Sequence, residues 1–358
     1  MKADIKKINI FSRKRFWAGI LSAQFLLFFI LAKFHSTLIV FERFFEIQKV
    51  FHQKIFAVFP FSVGDLLYIL LAVLMIFYLL KIFKKKTRNH FVLKFLILLN
   101  LLYFLYQIFW GMLYFQTPLA EKLPNEEITL QDTKTLALKY LNLCKQTRNR
   151  VSEDRNGVFK LMNLKLTEQE ILLQQSQLPS FISSKKPTGI NSFKSSLWKA
   201  IMSSTGILGY YNPFTGEAQF NPELPSTYLP FTLAHESAHQ LGFAREQEAN
   251  FIGYLIGKDS KNAELKYSTQ YFVLKSLLND LVEKDPEFVR KIIRSYSSGM
   301  KRDRLAEKMF VKKNEGFLND FFGFTNDLFL KSNRQDGSIT YSYFTGLLIR
   351  YEKMNANK

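Results

Sequence analysis

The sequence predicts a membrane-anchored, mainly α-helical chain: three transmembrane helices followed by an α-rich α+β soluble domain with a small edge sheet. Three observations lead there. Apolar runs almost free of charge fill the first third, among them "QFLLFFILA" and "LYFLYQIFW". From Pro118 onward charges are interspersed and apolar residues recur at helical spacing. Within this later region a short stretch, Glu217–Asn221, reads best as a strand between turn residues.

The spans come first. A bilayer core takes about 20 mostly apolar residues, and residues of about 16–34, 62–80 and 95–115 fit that length. The first carries no charge from Phe16 to Ala32. The bulky "AKFHSTLIVFERFF" that follows offers no small-residue cleavage site, so this span is expected to stay as an anchor. The second is entered through "FAVFPFSVGD", with Asp65 as an interfacial cap, and the third continues uncharged to Ala120. Residues 1–117 thus form the membrane region and residues 118–358 the soluble domain.

Basic flanks mark the cytoplasmic side. Lys2, Lys6, Lys7, Arg13, Lys14 and Arg15 precede the first span; Lys81, Lys84, Lys85, Lys86 and Arg88 separate the second from the third. The N-terminus is therefore expected in the cytoplasm and the soluble domain outside it, in the periplasm if the anchor is a bacterial inner (cell) membrane. The mixed segment from Lys33 to Phe59 would lie outside as well, flat on the surface.

The net charge of +19 invites a nucleic-acid reading, but its distribution argues against one. Residues 1–117 hold 16 Lys/Arg against 4 Asp/Glu, while the rest carries 33 against 26, spread along the chain. No basic face or nucleic-acid module is recognisable. Cys144 is the single cysteine, which excludes an intrachain disulfide and suits a buried apolar position.

Past Pro118, "LQDTKTLALKYLNLCKQTRNRV" is an amphipathic helix with Thr129 or Asp132 near its start. "TEQEILLQQSQ" and "SSLWKAIMSST" are shorter helices, and a long helical region opens near Pro230. Later helices are expected over "TQYFVLKSLLNDLVEK", "DPEFVRKIIRSYSSG", "RDRLAEKMFVKKNEGFLNDFF" and "ITYSYFTGLLIRYEK".

The chemistry concentrates in "LAHESAHQLGFAREQEAN". Of five histidines in the chain, only His235 and His239 follow residue 118. Residues i and i+4 share a helix face, so both imidazoles can reach one Zn²⁺. Glu236 lies about 100° round the helix, placed to take a proton from an attacking water rather than to ligate. A catalytic zinc needs a third protein ligand. With no other histidine in the domain that ligand is expected to be a carboxylate, and Glu246 and Glu248 are nearest. A straight helix would carry Glu246 about 10 Å beyond the histidines. The chain must therefore break, and Gly242 offers the place.

His-Glu-x-x-His followed by Glu-x-x-Ala-Asn resembles gluzincin-type metallopeptidases, including the membrane-bound CAAX-processing and HtpX-like proteases. The resemblance covers about Tyr210 to Gly257. It implies a zincin-like domain that hydrolyses peptide or protein substrates, with His235, His239 and Glu246 on zinc and Glu236 as general base. Ala249 and Asn250 complete the motif, and Asn250 stands where an Asp supporting a histidine is commoner. Three spans, "PFSVGD", "GYYNPFTGEAQFN" and "PFTLAHESAHQLGFAREQEANF" together resemble a bacterial membrane family, domain of unknown function 3810, which implies a metallopeptidase-like class without a substrate.

In such peptidases an edge strand beside the active-site helix pairs with extended substrate, and "GYYNPFTGEAQFNP" fits that role. An oxyanion donor besides zinc would come from Tyr210, Tyr211, Arg245, Tyr254 or Tyr341. Two other classes share these residues: a non-proteolytic metal-binding scaffold or sensor of the envelope, and a metal-free interaction module.

Overall fold

The computed structural model describes residues 10–182, 184–333, 335 and 343–356. Lys2, Lys6, Lys7 and Tyr341, singled out above, lie outside those residues. The chain is mainly helical, with three helices long and apolar enough to cross a membrane: α1 (Lys14–Leu31), α3 (Val63–Phe83) and α4 (Arg88–Phe109). Between the first two lies α2 (His35–Phe56). Few residues of α1, α3 and α4 are fully buried within the protein, as suits helices that could cross a membrane.

Several polar groups inside these helices are paired. Asn100 of α4 donates to the carbonyls of Trp17 and Leu96 and accepts from Gln24 at 3.0 Å. Lys14 and Asn89, bonded at 2.8 Å, tie the starts of α1 and α4 together. The first turn of α3 and the last turn of α4 meet the residues after 118.

The third span differs from its sequence boundaries. The helix begins at Arg88 rather than near residue 95 and stops at Phe109, because Trp110 leaves helical geometry at φ −148°. Residues Gly111–Phe115 form a tight 3₁₀ turn in which Met112, Leu113 and Tyr114 are buried. The apolar run that read as membrane to residue 115 thus ends inside protein. Together with α2 it joins the residues before 118 to the domain after them.

That domain contains α5 (Leu130–Arg148), α6 (Leu164–Gln175), α7 (Lys199–Thr205), α8 (Leu229–Leu241), α9 (Glu246–Lys258) and α10 (Ala263–Leu281). It closes with α11 (Pro286–Arg294), α12 (Ser298–Asn314), α13 (Phe317–Ser332) and α14 (Tyr343–Ala356). Thr129 caps α5 in a reciprocal box with Asp132. The single helix expected over "RDRLAEKMFVKKNEGFLNDFF" is two, α12 and α13, separated by an extended Glu315 and Gly316.

The strand region also differs. Three strands form one sheet in the order β1 (Phe193–Ser195), β3 (Glu217–Phe220), β2 (Gly209–Asn212). β1 runs parallel to β3, and β2 antiparallel to it. The stretch read as Glu217–Asn221 is therefore the central strand, Glu217–Phe220, buried along its length, with β1 and β2 as the edges beside it. β1 is only three residues long, too short for an alternation to show.

The core lies between α5, α8, α9, α10 and α14, with Leu233, Ala234, Tyr254, Leu274 and Leu348 fully buried. Beside it Arg148 holds Asp303 through two bonds of 2.6 and 3.1 Å, and Asp303 also accepts from Phe159 N–H and the Tyr267 hydroxyl. Both side chains are nearly solvent-free. Removing one partner strands a buried charge, so Asp303→Ala should cost about 3–5 kcal/mol of stability, and Arg148→Met/Asp303→Ala less than that single change. Denaturant unfolding of the detergent-solubilised protein measures both.

Candidate metal centre

α8 starts with Pro230 in its first turn, where a missing N–H costs nothing. It is sunk between the sheet, α9 and α10, and its C-terminus is set by Gly242. There φ is +96°, a left-handed conformation that suits glycine. Phe243 N–H bonds back to Ala238 and Gly242 N–H to His239, the paired bonds of a Schellman cap. A side chain at 242 would also strike Phe45 of α2, whose ring lies 2.6 Å from the position of its first carbon.

The turn is clamped from outside. Lys185 and Gln116 both donate to the Gly242 carbonyl, at 3.0 and 3.3 Å, and Lys185 also donates to the Gln116 side-chain oxygen at 2.8 Å. Arg245 donates to the Gln116 carbonyl and to Glu248. Glu248 accepts from Leu119 N–H as well.

The chain then restarts as α9 with Glu246 as its first residue, and this brings the carboxylate back over the histidines. Glu246 lies 3.2 Å from His235 Nε2 and 3.7 Å from His239 Nε2, and the two Nε2 atoms are 3.1 Å apart. One ligand atom from each residue falls within 4.8 Å of the others. Bonds of about 2.0–2.1 Å at a tetrahedral angle place ligand atoms about 3.3 Å apart, so two imidazoles and a carboxylate in this arrangement could hold a zinc-sized cation. His235 and Glu246 retain 13% and 16% exposure, which leaves the cluster open on their side.

The far ring nitrogens are held too. His235 Nδ1 pairs with Asn250 Oδ1 at 2.8 Å, and His239 Nδ1 with the Phe243 carbonyl at 2.6 Å. Since a carbonyl only accepts, His239 carries its proton on Nδ1 and presents a bare Nε2 to the cluster. The Trp110 ring packs on His239 at 5.8 Å and on Tyr211 at 4.6 Å.

Charge and burial pull the groups apart. Burial lowers the His235 imidazolium, but the hydrogen bond and charge of Glu246 outweigh it and raise the pKa to about 9. Burial dominates at His239 and brings it down to about 4. Burial likewise pushes Glu236 up to about 8. One Glu236 oxygen has no hydrogen-bond partner among the described residues, and the other faces Gly209 of β2, where a side chain would begin 2.7 Å from it.

The structure thus brings together His235, Glu236, His239, Glu246 and Asn250. It places Glu248 with Arg245, away from the ligand position that the sequence leaves open to it, because an i,i+3 pair forms across the first turn of α9. Arg245 is engaged there rather than beside an oxyanion. Tyr210 gives its hydroxyl to Asp65, and Tyr254 bonds Tyr140 and Glu352. Tyr211 keeps a buried hydroxyl without a partner among the described residues. Trp110, Gly209 and the Phe243 carbonyl carry no sequence motif that could have marked them.

The bend makes a direct prediction. Gly242→Ala should lose about 1–3 kcal/mol through the left-handed backbone and the Phe45 clash. Adding Phe45→Ala should not restore the single variant to wild type, since only the clash is relieved; thermal unfolding of the variants decides.

The model of the family described as protein of unknown function (DUF3810) matches residues 41–349, from within α2 to within α14. The chain belongs to that family. No curated protein and no solved structure matches it.

Proposed function

We propose that this family member is a membrane-bound zinc metallopeptidase that hydrolyses peptide bonds. The observation that carries the reading is the convergence of His235, His239 and Glu246 at ligand spacing, with Glu236 alongside. Two nitrogens and one carboxylate oxygen are the donor set of a catalytic zinc with an open fourth position. When bound, zinc would lower the pKa of a water and polarise the substrate carbonyl.

The chain's own residues supply the rest. Glu236 accepts the proton of the attacking water and passes it to the departing amine. Asn250 and the Phe243 carbonyl fix the histidine rings, and Gly209 leaves room beside Glu236. Tyr211 is the oxyanion donor of this proposal, because its hydroxyl has no partner among the described residues and its ring packs on Trp110, which packs on His239. As an edge strand of the sheet, β2 offers an extended peptide a strand to pair with. The motif's resemblance to gluzincin-type peptidases supports the same assignment.

The membrane orientation belongs to this reading. Lys81, Lys84, Lys85, Lys86 and Arg88 lie at the ends of α3 and α4 remote from the domain, so the basic-side rule puts them in the cytoplasm and the domain outside, in the periplasm of a bacterial inner membrane.

Glu236→Gln should retain zinc and lose peptide hydrolysis by about 10³-fold or more, whereas His239→Ala should lose the metal itself. Tyr211→Phe should keep zinc and lower kcat by about 10²-fold. Metal content after dialysis and cleavage of unfolded casein check these. Bound zinc without hydrolysis, unchanged in Glu236→Gln, would replace the peptidase with a metal-binding scaffold or sensor.

A further inference from the structure

Three elements press the candidate centre against the membrane. The first is α4, whose 22 residues span about 33 Å, only slightly more than a hydrocarbon core of about 30 Å. The very next residue after its last turn, Trp110, packs on His239.

The second is α3. The domain's sheet grips its first turn: Glu217 accepts from the N–H groups of Val63 and Gly64, and Asp65 accepts from Leu197 N–H and the Tyr210 hydroxyl. One residue before Tyr210 is Gly209, against Glu236.

The third is α2, which has two apolar faces. Phe45 is buried against Gly242 and Trp110. On another side Val40, Phe44, Ile47, Phe51 and Ile55 repeat at i, i+4, i+7, i+11 and i+15 and are 40–72% exposed. The exposed Arg43 and Lys54 edge that stripe. An apolar stripe with basic edges on a helix between two spans is the pattern of a helix lying in the lipid interface. The thickness of α2, about 10–12 Å, then separates the Gly242 turn from lipid.

From this geometry we propose that the centre acts on membrane-tethered polypeptides and cuts them within a few residues of the bilayer surface. The inference rests on the peptidase reading and adds its substrate class. Extended chain advances about 3.3 Å per residue, so a gap of 10–15 Å is crossed by about three to five residues. A segment leaving the bilayer beside α2 reaches Glu236 at that distance, while free peptides gain no such advantage in local concentration.

The test uses the full chain with zinc in phosphatidylethanolamine/phosphatidylglycerol liposomes. The substrates are unstructured 30-residue peptides, each a repeat of one mixed-sequence block, offered free or joined at one end to a diacyl lipid. Mass spectrometry reads the cut positions. Cuts in the anchored peptides should be at least ten-fold more frequent in the ten residues next to the lipid than in the ten farthest from it. Even cutting along the anchored peptides, or equal rates on free and anchored forms, would overturn the substrate class and leave the peptidase standing. Hydrolysis of neither form removes the peptidase reading and the substrate class with it. An independent arm uses Trp17→Phe/Trp198→Phe, in which Trp110 is the remaining tryptophan. Nitroxide at the lipid headgroup should quench Trp110 more than nitroxide at the chain terminus. Quenching by neither would overturn the interfacial placement whatever the cleavage shows.

Discussion

At Gly242 the chain turns back on itself, and the candidate centre exists only because it does. Without that turn α8 would carry Glu246 about 10 Å past His239, out of reach of any ion the histidines could share. The left-handed residue costs little as glycine, and the Schellman bonds satisfy carbonyls that a helix end leaves open. The same turn exposes the Phe243 carbonyl toward His239 Nδ1, so one backbone feature both recruits the carboxylate and fixes the tautomer of a histidine. Restarting the helix at Glu246 also lets Asn250, one turn later, reach His235.

The turn is held by residues distant in sequence. Phe45 fills the space a side chain at 242 would need, while Gln116 and Lys185 occupy the Gly242 carbonyl. Gln116 follows the last span by a few residues, and Phe45 belongs to the helix between the first two. The membrane region therefore shapes the centre as well as anchoring it. Trp110 adds a wall to His239, in a small apolar cluster with Phe45, Leu113, Tyr114, Tyr211 and Ala244.

Much of this was legible. Charge-free runs reported the spans, since lipid tolerates few unpaired charges, and the i,i+4 histidines reported a shared face. The need for a bend followed from helix rise alone, and Gly242 was the residue able to supply it. What stayed hidden was long-range. Trp110 read as the tail of a span because an apolar residue buried in protein looks the same in sequence as one buried in lipid. The central place of Glu217–Phe220 depended on β1, whose three residues have no periodicity to detect. Tyr210 and Tyr211 were indistinguishable until Asp65 was found to take the first hydroxyl and Trp110 to cover the second ring.

The pairing of Glu217 with the start of α3 shows why the domain cannot be treated as a passenger on its anchor. That carboxylate is fully buried, and a buried charge is tolerated only with strong partners. Its partners are two N–H groups at a helix N-terminus, where the helix dipole favours negative charge, together with Thr215 and Gln219. Cut away from residues 63 and 64, Glu217 would lose its backbone donors. Asp65 would lose Tyr210 and Leu197, and Gly242 would lose Phe45 and Gln116. Apart from Leu197, just after β1, these losses fall on β2, β3 or the Gly242 turn, the elements that surround Glu236 and Glu246. The apolar helices therefore serve as structural elements of the candidate centre.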